Sequence, residues 1–157
     1  MPATRTPQVL PLVLEPDPRL HQVCLPTEIH KVFELAEDML TTMYANKGCG
    51  LAAPQVGHLV RLLVMDCSPT RDKPQWFVNP VLLTQEFEED HEEGCLSFPG
   101  ETRKVKRATR VTFLADNHTN KVCTANGLWA VCLLHELDHL NGITFDSRGS
   151  LLPTPPA

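Results

Sequence analysis

The sequence predicts an α+β fold, because two helix-periodic segments bracket a run of short strands with no crossover helix among them. Residues 29–44 repeat apolar side chains at helical spacing, residues 58–124 break into short Val-, Leu-, Phe- and Thr-rich stretches, and residues 127–140 return to a helical pattern. Strands that follow one another without helices between them pair most simply in antiparallel fashion.

A proline-rich lead-in, EPDPRL, runs to Thr27, a candidate N-cap after Pro26. Ile29, Val32, Phe33, Ala36, Met39, Leu40, Met43 and Tyr44 then form the apolar stripe of an amphipathic helix, with Glu34, Glu37 and Asp38 between them. The helix should stop at Asn46 to Gly48, where glycine is free to turn left-handed. LVRLLVMD, WFVNPVLL, VKRATRVTFLAD and KVCT read as strands, with GCLS interrupting the strand region after an acidic segment. The second helix is expected from Gly127 to Leu140, capped by Asn126 and ended by Gly142. The closing LLPTPPA cannot continue a helix and reads as a frayed end.

The chain has 157 residues, 42% of them apolar, enough for a real core, and residues 1–157 read as a single domain. A formal charge of −5 argues against an electrostatic nucleic-acid binder, and the one basic cluster, KVKR at 104–107, reads as an alternating strand face. Six cysteines without a CxxC pair fit a reducing compartment better than a disulfide scaffold. The apolar stretch from Val9 to Leu14 contains Pro11 and runs into Glu15, so it fails as a signal peptide, and no run approaches the ~20 residues of a membrane span. These features point to the cytoplasm, with organelle import of a longer precursor left open.

LLHELDHLNG carries the chemistry. His135 and His139 stand four residues apart, hence on one helix face, with Glu136 beside the first. Two imidazoles on one metal ion and an adjacent carboxylate are the minimum for metal-assisted hydrolysis, and such a site needs a third protein ligand and an open fourth position. The plain alternative is an amphipathic helix end with exposed His and Glu. Leu128, Val131 and Cys132 project near His135 on the helical wheel, so the metal face continues into an apolar wall. Cys95 in EEGCLSFPG is the candidate third ligand, since a thiolate suits zinc or ferrous iron and Gly94 permits close backbone approach. A lone cysteine is otherwise a small buried hydrophobe, the reading kept for Cys24, Cys67 and Cys123, while Cys132 reads as pocket wall. In NKGCGLAAPQVG, residues 46–57, three glycines suggest backbone passing close to a ligand, and the Gln55 amide becomes a candidate oxyanion donor if a metal is near.

The three segments resemble the motifs GxGLAAxQ, EGCLS and HExDH of the peptide deformylase family, standing here as GCGLAAPQ at 48–55, EGCLS at 93–97 and HELDH at 135–139. With PDPRL near the N-terminus, the resemblance runs from about Leu10 to Asp146. It implies antiparallel sheets around a central helix that carries both histidines. It implies metal ligands Cys95, His135 and His139 for one divalent ion, ferrous iron as the native metal, with zinc, nickel or cobalt as substitutes. It also implies hydrolysis of the N-formyl group from the starting methionine of new polypeptides, with release of formate. In that reaction Glu136 moves the proton, Gln55 and the backbone N–H of Leu96 hold the oxyanion, Gly50 contacts the peptide backbone, and the methionine side chain lies along Leu128, Val131 and Cys132. Cys49 and Gly94 complete the implied substrate-binding set.

Departures from the family pattern accompany the matches. Cys49 stands where Ile or Val is usual, His91 where many bacterial members line the methionine pocket with an apolar residue, and Thr102 where a basic residue is frequent, with Arg103 beside it. His91 reads equally as an exposed side chain in an acidic turn. Many bacterial members carry a further C-terminal helix associated with ribosome docking, and this chain runs only from Gly142 into prolines. The expectation is therefore a short, monomeric form whose ribosome contact is open, acting on formylmethionyl chains without nucleic-acid or membrane partners. Similar brevity occurs in phage-encoded members, for which the compartment would be the host cytoplasm. Two rival readings stand beside this one: another HExxH amide hydrolase, whose third ligand would usually come from a downstream Glu or His, and a silent relative that binds formyl peptides without turnover.

Overall fold

The computed structural model describes residues 5–152. It contains two α-helices, α1 over Phe33–Ala45 and α2 over Leu128–Leu140. The strands are β1 Gly50–Ala52, β2 Leu62–Met65, β3 Gln75–Val78, β4 Val81–Glu93, β5 Arg103–Leu114, β6 Cys123–Asn126 and β7 Gly149–Leu151. They form two antiparallel sheets, β1-β2-β3 and β4-β5-β6, with β7 pairing the far end of β5. The α+β class and the antiparallel pairing are as the sequence predicts.

Helix α2 lies between the sheets, and every side chain from Ala130 to Leu140 is buried. A helix apolar on nearly all sides belongs in a core, which is why its His135, Glu136, Asp138 and His139 end up inside the protein. Leu133, Leu137 and Leu140 pack with Leu63, Phe77, Val111 and Phe113 from both sheets. Helix α1 buries Ala36, Met39, Thr42 and Met43 against Leu51, Leu62, Val64 and Val78 in a second cluster.

Several boundaries differ from the sequence expectation, each for a tertiary reason. Thr27 does not cap α1: its N–H and C=O are both taken by the Asn79 side chain, at 3.0 and 2.7 Å, so the chain stays extended there. Ile29–Lys31 make a 3₁₀ turn, and the α-helix begins at Phe33. Asn126 does not cap α2 either; it is the last residue of β6, paired with Arg110, and Gly127 at φ 59° makes the turn into the helix. WFVNPVLL divides at Asn79, which takes φ 50°, into β3 and β4. The acidic segment is not a turn but the outer half of β4, where Glu86, Glu89, Asp90 and Glu92 face Arg110, Arg107, Lys106 and Lys104 across the ladder. Opposite charges on facing strands offset the low strand propensity of Glu and Asp. KVKR alternates outward and inward on β5 as expected, yet its inward members are Val105 and a buried Arg107. Residues 153–157 of the closing segment lie outside the described residues, while Leu151 belongs to β7.

Candidate active site

One turn of α2 sets His135 and His139 side by side, with ring centroids 5.0 Å apart. The turn after β4 brings Cys95 to them, closed by the Phe98 N–H donating to the Cys95 carbonyl at 2.9 Å. The Cys95 sulfur lies 3.4 Å from His139 Nε2, and one ligand atom from each of the three residues falls within 4.8 Å of the others. This S,N,N set meets the chemistry of a zinc- or iron-class ion. One buried polar atom beside these ligands, Glu136 Oε1, has no hydrogen-bond partner, as fits a centre organised around an ion and its water. The residues present fit a divalent metal.

The ring of His135 is oriented from behind. Its Nδ1 donates to Glu93 Oε1 at 2.8 Å, which turns Nε2 toward Cys95. Glu93 also accepts two bonds from Arg107, at 2.8 and 3.0 Å, and Arg107 reaches on to Asp138 at 2.6 Å. Burial alone would raise the Glu93 carboxyl, but the bonds from His135 and Arg107 outweigh it and hold it at about 2. Burial, reinforced by neighbouring His135, keeps His139 well below the usual histidine range and therefore neutral, the form that ligates metals. Burial also pushes the Glu136 carboxyl up to about 8, against the pull of His135.

Gln55 sits in a 3₁₀ turn over Ala53–Val56 and is 1% exposed. Its Oε1 accepts the Ala52 N–H at 2.9 Å, which fixes the amide so that Nε2 donates to Ser97 Oγ at 3.1 Å and faces the Cys95 sulfur at 3.7 Å. Ser97 donates in turn to the Val13 carbonyl at 2.7 Å, and so it must receive from Gln55. Gly50 is packed so closely on α2 that a Cβ there would lie 2.5 Å from Cys132 Sγ and 2.7 Å from Glu136 Oε2. Any larger residue there would push on the reactive face of the helix.

These groups open into a cleft of about 930 Å³. Cys49, Gly50, Gln55, Gly94, Cys95, Leu96, Leu128, Val131, Cys132, His135 and Glu136 all line it, whereas His139 lies behind, 1% exposed. Val131 and Cys132 are buried in the wall, and Leu128 stands at the rim, 57% exposed. His91 is half-buried in the cleft lining with Nε2 unpartnered, rather than exposed in a turn. Arg103 points away, to Glu101 and the Gly149 carbonyl. Two residues escaped the sequence reading, Glu93 and Ser97. Both lie inside EGCLS, so the motif held them, but only their partners reveal what they do.

An HExxH helix buried between antiparallel sheets, with a cysteine sulfur and a side-chain amide converging on its histidines, is the construction of a hydrolase. The sequence model of the polypeptide deformylase family matches residues 9–152. A peptide deformylase of Chromobacterium violaceum is 48% identical over 140 residues, 85% of this chain and 82% of that protein, and one of Neisseria gonorrhoeae is 45% identical over 148 residues, 92% and 89%. Among solved structures, a peptide deformylase from Legionella pneumophila superposes with TM-score 0.83 at 38% identity, covering 90% of this chain and 86% of that one. A Met-Ala-Ser-bound class I type b peptide deformylase from Acinetobacter baumannii gives 0.82 at 30% identity, covering 91% and 99%. The chain belongs to the polypeptide deformylase family.

Proposed function

We propose that this hydrolase removes the N-formyl group from the formylmethionine that begins newly made polypeptides, releasing formate and a free amine. The observation that carries this reading is the convergence of Cys95, His135 and His139 within 4.8 Å at the base of a cleft that Gln55 and Glu136 also line. A divalent ion held by those three residues supplies Lewis acidity and makes water a nucleophile at neutral pH. Ferrous iron is the resident ion in this proposal, and zinc, nickel and cobalt suit the same donors.

The chain's own residues carry the rest. Glu136, which follows ligand His135 and lines the cleft, takes the proton from the attacking water and returns it to the departing amine. The Gln55 amide, held donor-first toward the site, and the Leu96 N–H stabilise the charge that develops on the formyl oxygen. Gly50 presents backbone to the peptide, with Cys49 and Gly94 beside it. Val131 and Cys132, with Leu128 at the rim, give the methionine side chain an apolar wall. His91 adds a polar group to that lining, so side-chain selectivity differs from that of an all-apolar pocket. The cytoplasm, where formylated chains are made, is the compartment of this reading; the relatives named above are cellular proteins and lend no support to a phage source. No described helix is long and apolar enough to cross a membrane.

The test is incubation of anaerobically metal-loaded protein with formyl-Met-Ala-Ser and acetyl-Met-Ala-Ser, measuring free amine. Release from the formyl peptide and not the acetyl one is the expected result. Equal release from both, or from neither, overturns the reading.

A further inference from the structure

A second group of metal-ligating side chains stands beside the site. Cys49 precedes β1, Cys67 follows β2 and Cys132 belongs to α2, and their three sulfurs lie within 4.8 Å of one another. Cys49 and Cys132 sulfurs are 3.7 Å apart. All three cysteines are free thiols. Beyond one another they meet backbone carbonyls: Cys132 faces the Cys49 carbonyl at 3.4 Å, and Cys67 faces the Cys49 and Leu128 carbonyls at 3.9 Å. Separately, each cysteine looks like a small apolar residue. Three from three elements, turned toward one point, do not.

We propose that Cys49, Cys67 and Cys132 form a second metal site, for a soft thiophilic cation of the Cu(I) class, in the wall of the cleft. An ion bonded to three sulfurs at about 2.3 Å sets them roughly 4 Å apart, close to the spacing already present. Thiolate donors exclude hard ions such as Mg²⁺ and Ca²⁺ and suit both Cu(I) and zinc, but zinc completes four ligands, so a set of three sulfurs favours Cu(I), whereas the S,N,N set at Cys95 with an open fourth position suits zinc and iron. The two sites therefore differ in donor type and in coordination number. One further feature favours a cation here: half-buried Cys67 gives a route of entry. Binding is a ligand exchange in which thiol protons pass to the solvent and no electrons transfer. The inference goes beyond the deformylase reading and does not depend on it.

The experiment uses the 157-residue chain carrying nickel, titrated anaerobically with the Cu(I)–acetonitrile complex against bicinchoninate as competing chelator. Copper and nickel are counted together by mass spectrometry, and X-ray absorption at the copper edge counts sulfur neighbours. The expected result is one copper per chain with nickel retained and three sulfurs around the copper. Cys67→Ser should hold copper at least about tenfold more weakly, with two sulfurs, while nickel content and copper-free activity stay as in the parent. Copper taken up only in exchange for nickel, or held equally by Cys67→Ser, overturns the proposal. Failure to retain nickel would count against the Cys95 site and leave the Cys67-dependent copper readout decisive for this one.

Discussion

Glu93 Oε1 accepts a hydrogen bond from His135 Nδ1 at 2.8 Å, joining the end of β4 to the middle of α2. The bond selects the tautomer that presents Nε2 to Cys95, and Arg107 keeps the carboxylate ionised from the other side. The conservative variant Glu93→Gln removes that charge while keeping the shape. Metal affinity, measured by chelator competition, should fall about 10- to 100-fold. Unchanged affinity would show that His135 is oriented by packing alone.

Glu136→Gln should keep its metal and lose turnover by about 10²- to 10⁴-fold, because the proton shuttle goes while the ligands stay. Cys95→Ala should do the opposite first, releasing metal more readily before any kinetic effect is considered. Metal content and formyl hydrolysis measured on the same samples separate the two roles; full activity in Glu136→Gln would remove that residue from the mechanism.

Gln55→Glu preserves an oxygen for the Ala52 N–H and removes the donor aimed at the site. The expected loss is about 10²- to 10³-fold in kcat with a small change in KM, since the interaction belongs to the charged transition state. A loss confined to KM would assign Gln55 to substrate binding instead.

Asp66 is buried and accepts from Ser68 N–H at 2.9 Å, Ser68 Oγ at 2.6 Å, Tyr44 OH at 2.5 Å and Lys73 N–H at 3.0 Å. Burial opposes ionisation, but these bonds win and hold the carboxyl at about 2, below the unfolded value near 3.9. A depressed folded pKa means the stabilisation is complete above about pH 4 and lost as pH falls toward about 2. Unfolding midpoints of the parent and Asp66→Asn should therefore converge over that interval. A constant gap between them would assign the effect to geometry rather than charge.

Gly50→Ala places a methyl group 2.5 Å from Cys132 Sγ and 2.7 Å from Glu136 Oε2, so either those side chains must turn aside or β1 must shift from α2. The expected cost is about 1–3 kcal/mol in unfolding free energy, together with a fall in activity from the displaced Glu136. An unfolding midpoint equal to the parent's would show that the neighbouring side chains or the strand give way freely.

Local pattern made the reactive face legible. Helical spacing alone puts His135 and His139 on one side of α2, with Val131 and Cys132 continuing the same face, and the order of three motifs brought Cys95 and Gln55 into consideration. Strand chemistry was readable where residues are β-branched or aromatic, and misread over Glu86–Glu93, because pairing with the basic β5 rather than intrinsic propensity makes that segment a strand. Helix starts failed at Thr27 and Asn126 for the same reason, each being occupied by a partner distant in the chain.

The sequence by itself determined which donors exist, how two of them share a helix face, and the α+β class. Only the tertiary structure decided that Glu93 aims His135, that Arg107 is buried between Glu93 and Asp138, and that Cys49, Cys67 and Cys132 meet. Periodicity sets the direction of a side chain within its own element, but a contact between elements depends on how the sheets close over α2, which no short stretch of chain encodes.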